Sequence, residues 1–275
     1  QEAITQLADR PLLSVIMPTY NPPLPFLDEA IKSLQAQWYG HWELCLADDA
    51  STQPGVLEHL RVWAQREPRI RLIERPENGH ISACSNTALS IAQGEWVLLF
   101  DQDDLLPPQA LWRVVQAAQS YPDAGVIYSD EDKVDERGQR FGPYFKPAFD
   151  AHLLRGQNLI SHLGAYRRNL VESVGGFRVG FEGSQDHDLA LRCIERLQAH
   201  QVVHIPQVLY HWRVHAQSTA SGEQAKPYAM DAGQRAVQEH LDRIACPARV
   251  ERHPEIPHYV VEHLKPSQGL PPLHV

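Results

Sequence analysis

The sequence predicts an α/β protein built on a mostly parallel, Rossmann-like central sheet covered by helices. Three observations predict it. Short continuous apolar runs, residues 12–17, 42–47 and 96–100 among them, read as strands buried on both faces. Segments with apolar residues at helical spacing separate these runs, so strand and helix alternate through about residue 130. The runs end in polar, acid-bearing loops, and parallel strands bring such loops to one edge, the edge where open α/β sheets bind ligands.

Residues 1–10 are weakly patterned and read as a helical leader. Residues 12–17 (LLSVIM) form the first strand, ended by a PTYNPP loop. Leu27, Ala30, Ile31, Leu34 and Trp38 then share one helical face. Residues 42–47 (WELCLA) form the second strand, closed by Asp48 and Asp49. A helix over 54–66 and a third strand over 70–74 follow. Asn78 and Gly79 make a turn before the helical face of Ile81, Cys84, Ala88, Ile91 and Ala92, which Gly94 ends. Residues 96–100 are the fourth strand. Pro108 suits the first turn of the next helix, lined by Leu111, Val114, Val115, Ala118 and Tyr121. Residues 125–129 form a fifth strand that runs into an acidic loop, Asp130, Glu131 and Asp132.

The second half is less regular. A connecting loop is expected at 143–147, a strand over 160–167 and a turn at Gly175 and Gly176. Ser184 reads as the N-cap of a helix with the stripe Leu189, Ala190, Cys193, Ile194 and Leu197, and Asp186 and Asp188 fall in its first turn. Short strands at 202–205 and 208–212 flank Pro206, and a helix is expected over 225–244. From Pro254 the composition is that of a linker, rich in Pro and His.

The 275 residues carry 43% apolar residues, enough for a real core, and a formal charge of −9. With no basic run, that charge argues against nucleic acid and against an anionic membrane as the main partner. No apolar run approaches the ~18 residues of a membrane span, and no signal peptide opens the chain. The four cysteines, Cys45, Cys84, Cys193 and Cys246, form no CxxC pair and read as reduced thiols of a cytoplasmic protein. The fifteen histidines show no HExxH spacing.

The most informative stretch is EWVLLFDQDDLLPP, residues 95–108. Asp101 and Asp103 are two apart at the end of the fourth strand, so on an extended segment both point the same way. Two such oxygens suit Mg²⁺ or Mn²⁺, which keeps other positions for water and phosphate. The same residues also fit a solvated acidic turn with one Asp capping the helix. The phosphate loops of other nucleotide folds are absent: PTYNPP follows the first strand, not GxGxxG or GxxxxGKS. That counts against a dinucleotide oxidoreductase, a P-loop enzyme and a nucleotidyltransferase with a Gly-rich loop there. Diphosphate charge must then be met another way, and a metal at Asp101 and Asp103 is the available candidate.

PTYN, LADDAST, NGHISACSNTAL, DQDD, GGF, GSQDHDLALR and YHWRVHAQST occur in that order. Each is weak alone; as an ordered set, from about Pro11 to Thr219, they resemble family 2 glycosyltransferases of the GT-A fold. YSDEDK, FKP and FEGSQD are similar to segments of bacterial cell-surface polysaccharide enzymes such as O-antigen transferases, often modules of larger chains. The resemblance implies a leader (1–10), a nucleotide-sugar-binding half (11–130), an acceptor and catalytic half of the same domain (131–221), a C-terminal helix and strand (222–253) and a linker-like tail (254–275).

It also implies roles. Asp49 would accept the N3–H of a uracil or thymine, with Asp48 the lesser of the pair. Tyr20 would lie against the base, Thr19 and Asn21 would shape its pocket, and Asn78 and Gly79 fall on the same nucleotide side. Asp103 would be the main metal ligand and Asp101 would sit near ribose or metal. His215, in RxHxxS, would approach the metal or diphosphate, with His211 as runner-up. Asp186 would be the catalytic base, although Gln185 stands where many relatives have Glu. Gly183, Gln185, Asp130, Asp132, Lys146 and Trp212 would face donor sugar or acceptor; a solvated acidic loop and a core Trp are their ordinary structural readings. The implied activity is metal-assisted, inverting transfer of a sugar from a UDP- or dTDP-linked donor to a hydroxyl of a growing cell-surface glycan, lipid-linked or free, at the inner face of the membrane. The alternative is an inactive nucleotide-sugar- or glycan-binding module of a larger synthase.

Overall fold

The structure, a computed structural model, describes residues 10–215 and 227–264. Residues 1–9 of the expected leader, the chain from 216 to 226 and the tail from 265 lie outside the described residues. Strands β1 (Leu13–Thr19), β2 (Trp42–Asp48), β3 (Ile70–Glu74), β4 (Trp96–Leu99) and β5 (Val126–Val134) alternate with helices α1 (Leu24–Gln35), α2 (Val56–Arg66), α3 (His80–Ser90) and α4 (Ala110–Ser120). Then come β6 (Arg140–Tyr144), α5 (Ala151–Gly156), β7 (Gly164–Arg167), α6 (Arg168–Ser173), α7 (Gln185–Ile194), β8 (Val202–Arg213), α8 (Pro227–Arg243), β9 (Ala248–Arg252) and β10 (Tyr259–His263).

The main sheet has eight strands in the order β3-β2-β1-β4-β7-β5-β6, with β8 also paired to β5. The β1–β2, β1–β4, β2–β3 and β5–β8 pairs are parallel. β7 is antiparallel to both β4 and β5, so the first five strands still point one way. Every residue of β2 is buried, as expected of a strand covered on both faces. Leu13, Val15 and Met17 enter the core beneath α1, α2 and α4, while Ile16 points to the opposite face and packs with Cys45, Cys84 and Ala88 under α3. A second large core joins β5 and β7 to α7, α8 and β9.

Several boundaries differ from the sequence expectations, each for a local reason. The fifth strand does not stop before its acids. Asp130, Glu131 and Asp132 lie inside β5 and are buried, because each meets a hydrogen-bonding or cationic partner described below. β8 is one strand rather than two; its register with β5 shifts near Pro206, which has no N–H to donate, and pairing resumes after it. Ser184 holds the N-cap position of α7 without capping it: its Oγ donates to the Ala229 carbonyl, 2.8 Å away on α8. Trp38 and Tyr121 fall beyond the ends of α1 and α4 and are exposed. The Pro- and His-rich stretch contains β10, antiparallel to β9, instead of a plain linker. Its Tyr259 packs against α8 at Gly233, where a Cβ would lie only 1.9 Å from the Tyr259 hydroxyl oxygen.

The described cysteines are free, and burial pushes the Cys45, Cys84 and Cys193 thiols up to about 12, so they are inert packing groups. Among the described residues no helix is long and apolar enough to cross a membrane.

Candidate active site

The carboxyl ends of β1, β2 and β4 open into a cavity of about 890 Å³, closed on its other side by the 157–162 loop, the start of α7, the start of α8 and the β9–β10 hairpin. Thr19, Tyr20, Asn21, Asp49 and Asn78 line one part of it, and Asp101 and Asp103 another. Gly183, Gln185, Asp186, Trp212 and His215 also line it. Six of the residues singled out in the sequence do not: Asp48, Gly79, Asp130, Asp132, Lys146 and His211.

The nucleotide side is built by loops tied to one another. Asn21 accepts from the Thr52 and Gln53 backbone N–H groups through Oδ1, at 2.8 and 2.9 Å, which joins the β1 loop to the β2 loop. The Tyr20 N–H donates to Gln102 Oε1 at 2.9 Å, so the residue between the two acids of DQD steadies the Tyr20 backbone, while its ring stays 44% exposed. Thr19 Oγ1 is buried on the cavity wall without a partner among the described residues, and such a hydroxyl calls for a ligand or water. Asp49 Oδ1 accepts from Arg75 Nε at 2.7 Å and from the Gly79 N–H at 3.0 Å. Asn78 Nδ2 donates to the Asp49 carbonyl at 3.1 Å. Gly79 leaves room for the Arg75 guanidinium: a Cβ there would lie 2.4 Å from Arg75 Nη2 and displace it. Asp49 thus has one oxygen fixed and the other left for an N–H donor. Asp48 faces inward and its Oδ2 accepts from the Ser51 N–H at 3.0 Å.

The acids after β4 split into different environments. Asp103 Oδ2 and His215 Nε2 are 2.6 Å apart, and the His215 ring packs on Phe26 with centroids 5.3 Å apart. Arg213 Nε donates to the Asp103 carbonyl at 2.6 Å. Asp104 is buried; it accepts from the Tyr210 hydroxyl at 2.6 Å and from the Arg213 N–H at 2.7 Å. Enclosure pushes the Asp101 carboxyl up to about 6; His162 draws it down, and Asp103 and Asp186 add to the rise. Asp101, Asp104 and His162 offer ligand atoms within 4.8 Å of one another, but Asp104 already spends both oxygens on its two donors. The donor set that fits a hard divalent cation is therefore Asp103 with His215, already converged at the wall, and Asp101 beside them on the same turn.

Asp186 stands at the opening of α7, where its Oδ2 accepts from Asn158 Nδ2 at 2.7 Å. Gly183 just before it has φ +83° and leaves no room for a Cβ, which would meet Ala229 Cβ at 2.7 Å. Gln185 Oε1 accepts from the Gly183 N–H at 2.8 Å, a local turn contact.

Asp130, Asp132, Lys146 and His211, off the cavity, are held by a network of hydrogen bonds and ion pairs. Asp130 accepts from the Lys146 N–H at 2.9 Å and pairs with His204 at 2.8 Å. Asp132 pairs with His211 at 2.5 Å and Arg140 at 2.7 Å, which turns His211 away from the metal-type acids. Lys146 Nζ is fully buried and donates to Glu131, to the Ile160 carbonyl and to the His162 carbonyl, at 3.0, 2.9 and 2.6 Å. Lys146 and Glu131 brace the 157–162 loop from behind. His162, Asn158 and Arg75 are the site residues that sequence reasoning missed. Burial works against a charged His162, yet the hydrogen bond and charge of Glu131, with Asp101 and Asp104 behind it, raise it to about 9.

A helix-covered parallel sheet whose carboxyl edge gathers acids over a cavity is the architecture of nucleotide-diphospho-sugar transferases of the GT-A type. Solved structures agree at the level of fold. S. aureus TarS 1–349 in complex with UDP-GlcNAc superposes with TM-score 0.68 at 19% identity, covering 83% of this chain and 66% of that one. The mannosyltransferase PcManGT from Pyrobaculum calidifontis, in complex with GDP-Man and Mn²⁺, gives 0.59 at 22% identity, with 89% and 79% covered. Residues 14–175 match the profile of Glycosyl transferase family 2, and the chain belongs to that family. Among relatives, uncharacterized protein y4gI of Sinorhizobium fredii is 52% identical over 242 residues, and O-antigen biosynthesis protein RfbC of Myxococcus xanthus is 38% identical over 243. Each match covers 88% of this chain but only 27% and 19% of those proteins.

Proposed function

We propose that this chain transfers a sugar from a UDP- or dTDP-linked donor to an acceptor hydroxyl of a cell-surface glycan, with inversion at the anomeric carbon. The observation that carries the proposal is that Asp49, Asp103 and Asp186, from three separate elements, line one cavity of about 890 Å³. That volume suits a ligand of nucleotide-sugar size. Asp49, braced by Arg75 and Gly79, accepts the base N3–H through its remaining oxygen. Asp103, His215 and Asp101 would hold Mn²⁺ or Mg²⁺. A cation bound there neutralises charge that gathers on the departing diphosphate.

Asp186 takes the proton of the acceptor hydroxyl as its oxygen forms a bond to the anomeric carbon and the bond to the diphosphate oxygen breaks. Asn158 occupies one carboxylate oxygen and orients the other toward the incoming alcohol. One base opposite one leaving group means a single displacement and an inverted centre.

A thermal-shift screen of UDP, dTDP and GDP sugars with and without Mn²⁺ tests the donor half. A ligand that binds only the folded state raises the midpoint, so a Mn²⁺-dependent rise with uridine or thymidine donors is expected. No rise with either class overturns the reading.

A further inference from the structure

His162 comes from the loop before β7 and none of the motifs above includes it. Its ring lies flat on Tyr210, centroids 4.5 Å apart at 17°, and tilts against Trp212 at 5.5 Å. One edge of the ring faces Glu131: Nδ1 is 3.3 Å from Glu131 Oε2 and 3.0 Å from Ser161 Oγ, and the His162 N–H donates to the same Glu131 oxygen at 3.2 Å. Lys146 Nζ clamps the backbone through the Ile160 and His162 carbonyls. The other edge points into the cavity, with Nε2 3.9 Å from Asp101 Oδ2. That is the ion pair Asp101 makes among the described residues. Tyr210 completes the arrangement from below. Its hydroxyl oxygen accepts from the Asp101 N–H at 3.2 Å while its proton goes to Asp104.

We propose that His162, anchored by Glu131, is a positioning residue for Asp101: the Nε2 edge of its fixed ring holds the Asp101 carboxylate turned toward the diphosphate and cation of the donor. The physical need is plain from the charges. Asp101, Asp103 and Asp104 crowd the turn after β4, and Asp186 faces Asp101 across the cavity, so an unpaired Asp101 carboxylate would turn away from its neighbours. A carboxylate–imidazole–carboxylate chain fixes both the ring and the acid, as outer groups do around metal ligands. Asp103 has its own imidazole, His215, so the DQD acids are served by separate histidines. The proposal rests on the donor reading above.

Isothermal titration of UDP and dTDP, each with and without Mn²⁺, tests it on His162→Phe, Asp101→Asn and the double variant. His162→Phe keeps a flat ring on Tyr210 and loses both ring nitrogens, so the Nδ1 contacts to Glu131 and Ser161 go together with the Nε2 edge that faces Asp101. Mn²⁺-dependent nucleotide affinity should fall about 10-fold, the lower end of what outer-sphere changes cost, while metal-free affinity is unchanged. Asp101→Asn should show a similar loss, and the double variant no more than either single change, because the histidine acts through that acid. Glu131→Gln repeats the test from the far end of the chain and should weaken the same Mn²⁺-dependent component. Wild-type affinity in folded His162→Phe, or losses that add in the double variant, overturns the proposal alone. A wild-type protein with no Mn²⁺-dependent binding of either nucleotide overturns the donor reading instead, and this inference with it.

Discussion

Asp103 and His215, 112 positions apart in sequence, meet at 2.6 Å between Oδ2 and Nε2 on the cavity wall. The contact joins the turn after β4 to the end of β8 and brings together an oxygen and an imidazole nitrogen, the donor types that bind Mn²⁺. His215→Ala is expected to lower Mn²⁺ affinity at least about 10-fold, measured by titration with UDP present. Chelation of the metal from the wild-type protein should abolish turnover, and added Mn²⁺ should restore it. Unchanged Mn²⁺ affinity in the variant would remove His215 from the site.

Arg75 orients Asp49, so its loss should be felt by the nucleotide and not by the chemistry. Arg75→Met is expected to raise the KM for donor about 10-fold, about 1.4 kcal/mol of binding, with kcat close to wild type. Steady-state kinetics over a donor series checks it; a fall in kcat alone would contradict the assignment.

The Glu131 network makes a prediction for pH. Burial opposes the charged form, but the His162 imidazole and then Lys146 hold Glu131 down at about 2, against an ordinary 4.5. Its stabilising contribution is therefore complete above pH 4.5 and is lost as pH falls toward 2. Glu131→Gln should lessen the acid-side loss of stability between those values, read from urea unfolding at stepped pH. An acid limb unchanged by the substitution would show that Glu131 titrates normally.

The hairpin wall depends on Gly233. A methyl at that position must displace the Tyr259 hydroxyl, so Gly233→Ala is expected to destabilise by about 1–3 kcal/mol, as overpacking does. A chemical denaturation midpoint equal to that of wild type would mean that β9 and β10 are not held against α8 in this way.

Much of this architecture was legible in the sequence where burial leaves a local mark. Strands β1, β2 and β4 read as apolar runs because both their faces are covered, and Leu27, Ala30, Ile31 and Leu34 mark α1 by period alone. Asp49, Asp101, Asp103, Asp186 and His215 could be placed at one cavity because parallel strands deliver their loops to one edge and ordered motifs supplied the rest. Periodicity cannot see pairing between distant charges. Asp130, Glu131 and Asp132 read as a loop, yet His204, Lys146, His211 and Arg140 give them hydrogen-bond and charge partners inside β5. His162 and Arg75 were invisible for the same reason: each acquires its role from a partner on a different element. β10 reads as linker because its short YVV run lies among the prolines and histidines of 253–266, and it is a strand because β9 and α8 give it somewhere to pack.

The central claim is that Asp186 removes the acceptor proton while other residues bind the donor. Asp186→Asn keeps the shape and the possibility of a contact with Asn158 but cannot act as a base. The deciding measurement is nucleoside-diphosphate release from the donor that the thermal screen selects, made alongside Mn²⁺-dependent nucleotide affinity on the same preparation. Turnover should fall about 1,000-fold, within the range of a lost general base, with nucleotide affinity unchanged. Retained turnover would contradict the account.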